Sequence, residues 1–221
     1  MNCRHVCCPL ELLFVVAFLA EGNVVSDRAC EELIILHDRA KQALIGLGVL
    51  FIVGFLLSLL SPWLHRWRRE LGYVVLALGL STSMVTPLKA LTAVQCPWSL
   101  TQFGGEETFS SLLSERAPTD KPGRCWPGGH ASAGFSLLAF FFVLRDRRPR
   151  LARVALVVAL GLGTVFSVGR MLQGAHFLSH NVWTLLLDWM ICALSYRWLL
   201  YRSPQAEAVA QPLTVLAGGR E

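Results

Sequence analysis

QALIGLGVLFIVGFLLSLLSPWL, residues 42–64, carries no formal charge from its first residue to its last. A helix crossing a hydrocarbon core of ~30 Å needs about 20 apolar residues, and this run supplies them unaided. Shorter uncharged runs occupy Leu71–Leu88, Ala131–Leu144 and Val154–Gly169 and reach spanning length with their flanks. Phe177–Leu200 is apolar apart from His180, Asp188 and, close to its end, Arg197. Composition points the same way. Hydrophobic residues make up 54% of the 221, charged residues only 16%, and the mean hydropathy is +0.51, which excludes an ordinary soluble domain.

The amino-terminal apolar segment, Pro9–Val25, is the weakest, because Glu11 and Glu21 leave only Leu12–Ala20 clean between them. It reads either as a retained first span or as a signal-type segment behind Arg4. The lack of a convincing small-x-small cleavage site favours the span. The expected architecture is an all-α, polytopic membrane helical bundle of six transmembrane helices, or five if that segment is lost. A single domain over 1–203 is expected, with a short disordered cytoplasmic tail over 204–221.

Net charge is +5, and its placement matters more than its sum. Arg66, Arg68 and Arg69 share one short connection, Arg145, Arg147, Arg148, Arg150 and Arg153 another, and Arg197 and Arg202 follow the last span. Alternating spans bring all three clusters to one side, and the positive-inside bias makes that side cytoplasmic. This topological role accounts for the arginines better than nucleic-acid binding does. The long connection Leu91–Gly129 and the short one around Arg170–His180 then face outward.

Of the seven cysteines, Cys96 and Cys125 flank the long outward loop, where an oxidising compartment makes a disulfide between them plausible. Cys3, Cys7, Cys8, Cys30 and Cys192 show no metal or redox spacing. The loop itself is rich in Gly, Pro and acidic residues, the composition of irregular, solvated and often functional backbone.

Polar residues gather where spans meet this outward face. Lys89 ends one span. Arg124-Cys-Trp-Pro127-Gly128-Gly129-His130 runs into the next, and Arg170-Met-Leu-Gln-Gly-Ala-His176-Phe-Leu-Ser-His180 leads into the last. Small residues at a helix start expose N–H groups and the positive end of the helix dipole to an anion. Lysine and arginine neutralise phosphate charge, arginine through a bidentate fork. Histidines on separate segments can serve as nucleophile and general acid.

Lys89-x6-Cys96-Pro97, Pro127-Gly-Gly-His130 and Arg170-x5-His176-x3-His180 resemble, in order and topology, the three motifs of the type-2 phosphatidic acid phosphatase superfamily. Those motifs read Lys-x6-Arg-Pro, Pro-Ser-Gly-His and Arg-x5-His-x3-Asp. The resemblance covers residues 89–180 and implies a helical bundle needing neither metal nor cofactor. It implies that His176 attacks phosphorus to form a phosphohistidine and that His130 protonates the leaving oxygen. Lys89, Arg170 and the Gly128–Gly129 turn then match phosphate-binding positions.

Three positions depart from the family pattern. Cys96 stands where the first-motif arginine belongs, and Arg124 is the candidate substitute. Gly128 replaces the second-motif serine. His180 replaces the aspartate that would orient the nucleophile, so it can accept a hydrogen bond from His176 but brings no negative charge. Asp188 is too far along the helix to relay to His180, and a structural hydrogen-bonding role is expected for it. Glu106, Glu107, Glu115 and Asp120 remain alternative carboxylates. His176 and His180 share a helix face at metal-ligand spacing, but no glutamate between them supplies a base.

The leading expectation is a lipid phosphate or diphosphate phosphatase in a bacterial inner membrane, its site facing the periplasm or cell exterior. Its partners are a phosphorylated lipid substrate and the bilayer. A lipid phosphotransferase, or a transporter or anion-binding protein of the same fold without catalysis, is the alternative. Phosphatidic acid, phosphatidylglycerol phosphate, polyprenyl diphosphate and phosphorylated lipid A all present the same group.

Overall fold

The computed structural model describes residues 27–112 and 122–201. The expected first span (Pro9–Val25), the tail from 204, Cys3, Cys7 and Cys8, and the loop residues Glu115 and Asp120 lie outside the described residues.

The α-helices of the described residues follow in the order α1 (Asp27–Leu60), α2 (Pro62–His65), α3 (Arg68–Thr92), α4 (Gly129–Phe135), α5 (Leu138–Leu144), α6 (Pro149–Leu172) and α7 (Leu178–Leu199). Between α3 and α4, two short 3₁₀ turns, Pro97–Ser99 and Thr101–Phe103, and one isolated bridge, Leu100 to Glu107, shape the start of the long connection. The chain is an all-α membrane bundle. Three segments are long and apolar enough to cross a bilayer, Gln42–Leu60, Arg68–Ser99 and Pro149–Leu172. Gly129–Leu144 is apolar but shorter.

Helix α7 differs from these because its polar residues point inward. His180, Asn181, Thr184 and Asp188 are buried, whereas Val182, Trp183, Leu186, Trp189 and Leu194 are exposed. A bilayer solvates the apolar face and the bundle interior satisfies the polar one, so hydropathy alone understates this span. Asp188 takes the structural role expected of it, accepting a hydrogen bond from Ser132 Oγ at 3.2 Å.

Local sequence sets the boundaries. Pro62 and Pro149 occupy first-turn positions of α2 and α6, where a missing N–H costs nothing. Helix α3 ends one turn beyond Lys89. Ala93 turns left-handed, φ 47°, and its N–H closes on the Lys89 carbonyl at 3.1 Å. The fourth apolar run is expected as one span, yet it breaks at Ser136–Leu137. There the backbone tightens to i→i+3 bonds, such as Ala139 N–H to Ser136 O at 3.1 Å. The Ser136 hydroxyl donates to the Ala133 carbonyl at 3.0 Å, a competition that bends helices.

The core lies at the arginine-rich end. Tyr73, Val74 and Ala77 of α3 pack with Leu138, Ala139 and Phe142 of α5 and with Cys192 and Tyr196 of α7. Tyr73 Oη donates to the Cys192 carbonyl at 3.2 Å, and Tyr196 Oη donates to Asp146 in the connecting loop. Arg147 pairs with Glu70 at 2.7 Å across the same surface. At the opposite end α4 and α6 approach backbone to backbone. A Cβ on Gly134 would lie 2.5 Å from Gly163 N, and one on Gly163 would lie 2.1 Å from Phe135 Cδ1. Small residues allow such contact where lipid offers no hydrophobic drive for association.

Candidate active site

Three chain segments converge at the end of the bundle away from the arginine clusters. The first is the end of α3 with Lys89. The second is the strap Gly123–Gly128 leading into α4. The third is the turn between α6 and α7. Their backbones are tied together. Cys125 N–H donates to Val94 O at 3.0 Å, and Trp98 N–H donates to Gly174 O at 3.0 Å. Gly123 sits so close to α3's exit that a Cβ there would meet Val94 O at 2.2 Å. Cys96 and Cys125 form a disulfide, with Cα atoms 5.1 Å apart, which joins the first two segments. The Trp126–Pro127 peptide is cis.

His176 lies in the turn between α6 and α7, only 5% exposed. Burial first, then the positive charges of Lys89 and Arg170, and then His180 and His130, hold its imidazole far below the ordinary histidine range. The ring is therefore neutral at physiological pH, as a nucleophile requires. The groups that act on His176 are thus four of the residues singled out in the sequence. Lys89 Nζ also lies 3.7 Å from where a Gly129 Cβ would stand, which sets it beside the first residue of α4 and next to His130.

Arg170 is fixed by residues that spacing alone does not single out. Its Nη1 donates to Gln173 Oε1 at 2.6 Å, and its guanidinium stacks over Trp98 with the carbon 5.8 Å from the ring centroid. Both contacts restrain the fork before any anion arrives. Arg124 is exposed, and it is not among the charges that bear on His176.

The turn at Gly128 is engaged differently from the sequence expectation. Gly128 caps α4, but its N–H donates to Thr184 Oγ1 at 2.8 Å and so is not offered to an anion. Thr184 Oγ1 in turn donates to the His180 carbonyl at 2.7 Å. The space of the family serine is also taken. A Cβ on Gly128 would stand 2.6 Å from Asn181 Oδ1. Asn181 is 3% exposed, donates weakly to Ser167 O at 3.4 Å, and leaves Oδ1 without a partner. Motif spacing does not single out Asn181 and Thr184, which the structure places at this turn. The available signal was two polar side chains one and four residues after His180 in an otherwise apolar span.

The rings of His176 and His180 stand edge to face with centroids 6.0 Å apart. Neither ring's Nδ1 has a hydrogen-bond partner. The two imidazoles therefore share no hydrogen bond through Nδ1. Among the described residues no carboxylate bears on His176. Glu106 is exposed, and Glu107 uses its backbone to bond Ser99 and Thr101.

A sequence profile of the PAP2 superfamily matches residues 70–204. The chain therefore belongs to that superfamily, the type-2 phosphatidic acid phosphatase group whose three motifs it resembles. Among curated proteins it is similar to the lipid A 4'-phosphatase of Francisella tularensis subsp. novicida (strain U112). The two are 28% identical over 156 residues, covering 67% of this chain and 68% of the relative. No solved structure matches it significantly.

Proposed function

We propose that this protein is a membrane-embedded phosphatase of a phosphorylated lipid, with His176 as the nucleophile and His130 as the general acid. The observation that carries this reading is the buried imidazole of His176, on which the charges of Lys89 and Arg170 and the ring of His130 bear. A neutral ring can attack phosphorus, and the surrounding cations favour the charge that spreads over the transferring oxygens. In the first step a His176 ring nitrogen forms a bond to phosphorus as the bond to the lipid oxygen breaks. That oxygen takes its proton from His130. In the second step water, losing a proton to the now neutral His130, displaces His176 and releases phosphate.

Lys89 and Arg170 supply the phosphate's counter-charge in this scheme, and the reaction calls for no metal ion. The named activity of the relative supports a phosphate ester on a lipid anchor. Phosphatidic acid, phosphatidylglycerol phosphate, polyprenyl diphosphate and phosphorylated lipid A are the compounds to try. The arginine clusters support an orientation with the site outward, facing the periplasm from a bacterial inner membrane.

The test is phosphate release by purified protein in micelles, across that panel, with chelator present. His176→Ala is expected to lower release by at least 10³-fold, the scale for loss of a nucleophile, while the wild type keeps its activity in chelator. Release that persists in the variant, or disappears in chelator, would refute the scheme.

A further inference from the structure

We propose that a groove between α1, α3 and α4–α5 receives one hydrocarbon chain of the lipid whose phosphate sits at Lys89, and that Gly48 and Gly79 set the length of chain it accepts. This rests on the lipid-phosphate reading above.

The groove encloses about 540 Å³, within the range of small-ligand sites. Its walls are three helical stripes. Leu44, Gly48 and Ile52 recur every four residues on α1. On α3, Val75, Gly79 and Thr82 continue along the same face to Lys89, and Gly129, His130 and Ala133 form the α4 wall. The polar groups Lys89 and His130 stand at one end of an otherwise mainly apolar lining, which is the charge layout of an amphiphile with an anionic head. From Lys89 to Val75 the α3 wall runs about 21 Å at 1.5 Å per residue. That is more than half of the ~30 Å hydrocarbon core, so a chain entering at the phosphate end runs past the bilayer midplane.

The α1 side of the groove gives access from the bilayer. Ile45, Val49 and Ile52 are exposed, while Leu44, Leu47 and Phe51 pack toward the core. Phe51 meets Phe140 at 5.3 Å between ring centroids, and further toward the arginine-rich end Phe55 meets Gly72. A chain can therefore slide in sideways without leaving a hydrophobic medium. The two glycines face open space. A Cβ at Gly48 or Gly79 would meet nothing within 4 Å, although both residues line the groove. Larger side chains there fill ligand volume without displacing protein atoms.

The test uses the full chain in micelles and a series of non-hydrolysable alkyl phosphonates with 4, 8, 12 or 16 carbons, each carrying a terminal photo-reactive diazirine. The 12-carbon probe is expected to label residues 44–52 and 75–82, and Gly79→Leu or Gly48→Leu should cut that labelling at least fivefold. With hydrolysable alkyl phosphates, either substitution should lower the 16-carbon to 4-carbon ratio of kcat/KM at least tenfold. Thermal melting checks that each variant is folded, and the second variant serves if the first is not. Label that falls outside the groove, or that both folded variants leave unchanged, overturns the proposal. So do crosslinks showing the groove filled by a helix from another chain. Groove labelling without any hydrolysis keeps the chain site and sinks the phosphatase reading. Hydrolysis with label elsewhere does the reverse.

Discussion

Gly128 shows how one departure from a family pattern can be tied to another. Restoring the family serine places a Cβ 2.6 Å from Asn181 Oδ1, so Gly128→Ser is expected to lower kcat/KM about tenfold or more and not to improve it. Pairing it with Asn181→Ala opens the space, and steady-state kinetics on the double variant should recover most of the loss. That non-additivity is the signature of two residues sharing one volume. His176 makes a second prediction at this scale. Its pKa is pulled down, so the acid limb of the kcat/KM profile should fall below the ordinary imidazole value of about 6.5. Removing a positive neighbour, as in Lys89→Gln or Arg170→Gln, should shift that limb toward higher pH while weakening phosphate binding. The linkage to stability has the same origin. The unfolded chain takes up a proton at His176 that the folded protein refuses, so this contribution is complete above about pH 6.5 and is lost as pH falls below it. The histidines proposed as catalytic, Lys89 and Arg170 were legible in the sequence because their spacing is local within each motif. Asn181 and Thr184 were not, because what they touch at Gly128 lies more than fifty residues away along the chain.

At the scale of elements, the contact between α4 and α6 holds His130 at its depth. Gly134→Ala would thrust a methyl group to 2.5 Å from Gly163 N, backbone against backbone with no flexible end to yield. We expect a loss of about 1–3 kcal/mol, the usual cost of overpacking, seen as a lower melting temperature in micelles. His130 should be displaced with α4, so activity falls further than stability alone explains. The spans themselves were readable from uncharged runs, since a bilayer imposes length and apolarity directly. The break at Ser136–Leu137 was not, because the Ser136 hydroxyl's contest with the backbone leaves no mark in hydropathy.

For the whole molecule, the arginine clusters and the site residues occupy opposite ends, an arrangement that alternation of spans dictates. The disulfide between Cys96 and Cys125 and the Trp98 N–H bond to the Gly174 carbonyl make the site end a stitched crust. The helices beneath it are unequal. Gly129–Leu144 rises about 24 Å at 1.5 Å per residue, whereas α6, Pro149–Leu172, rises about 36 Å. Hydrocarbon thickness near 30 Å suits neither, and the mismatch is relieved by tilt or by local thinning of the lipid. Were α6 to reach one membrane face, the head of α4 with His130 would stop short of it, and the headgroup layer would have to dip to meet them. Turnover in vesicles should accordingly be fastest in phosphatidylcholine with 14-carbon chains and fall severalfold with 22-carbon chains, at equal substrate fraction. Equal rates in both would mean that the dip costs nothing. On the proposed reading, a short helix at the centre of the site would make membrane thickness a throttle: the surrounding lipid would adjust the rate without altering any contact inside the protein.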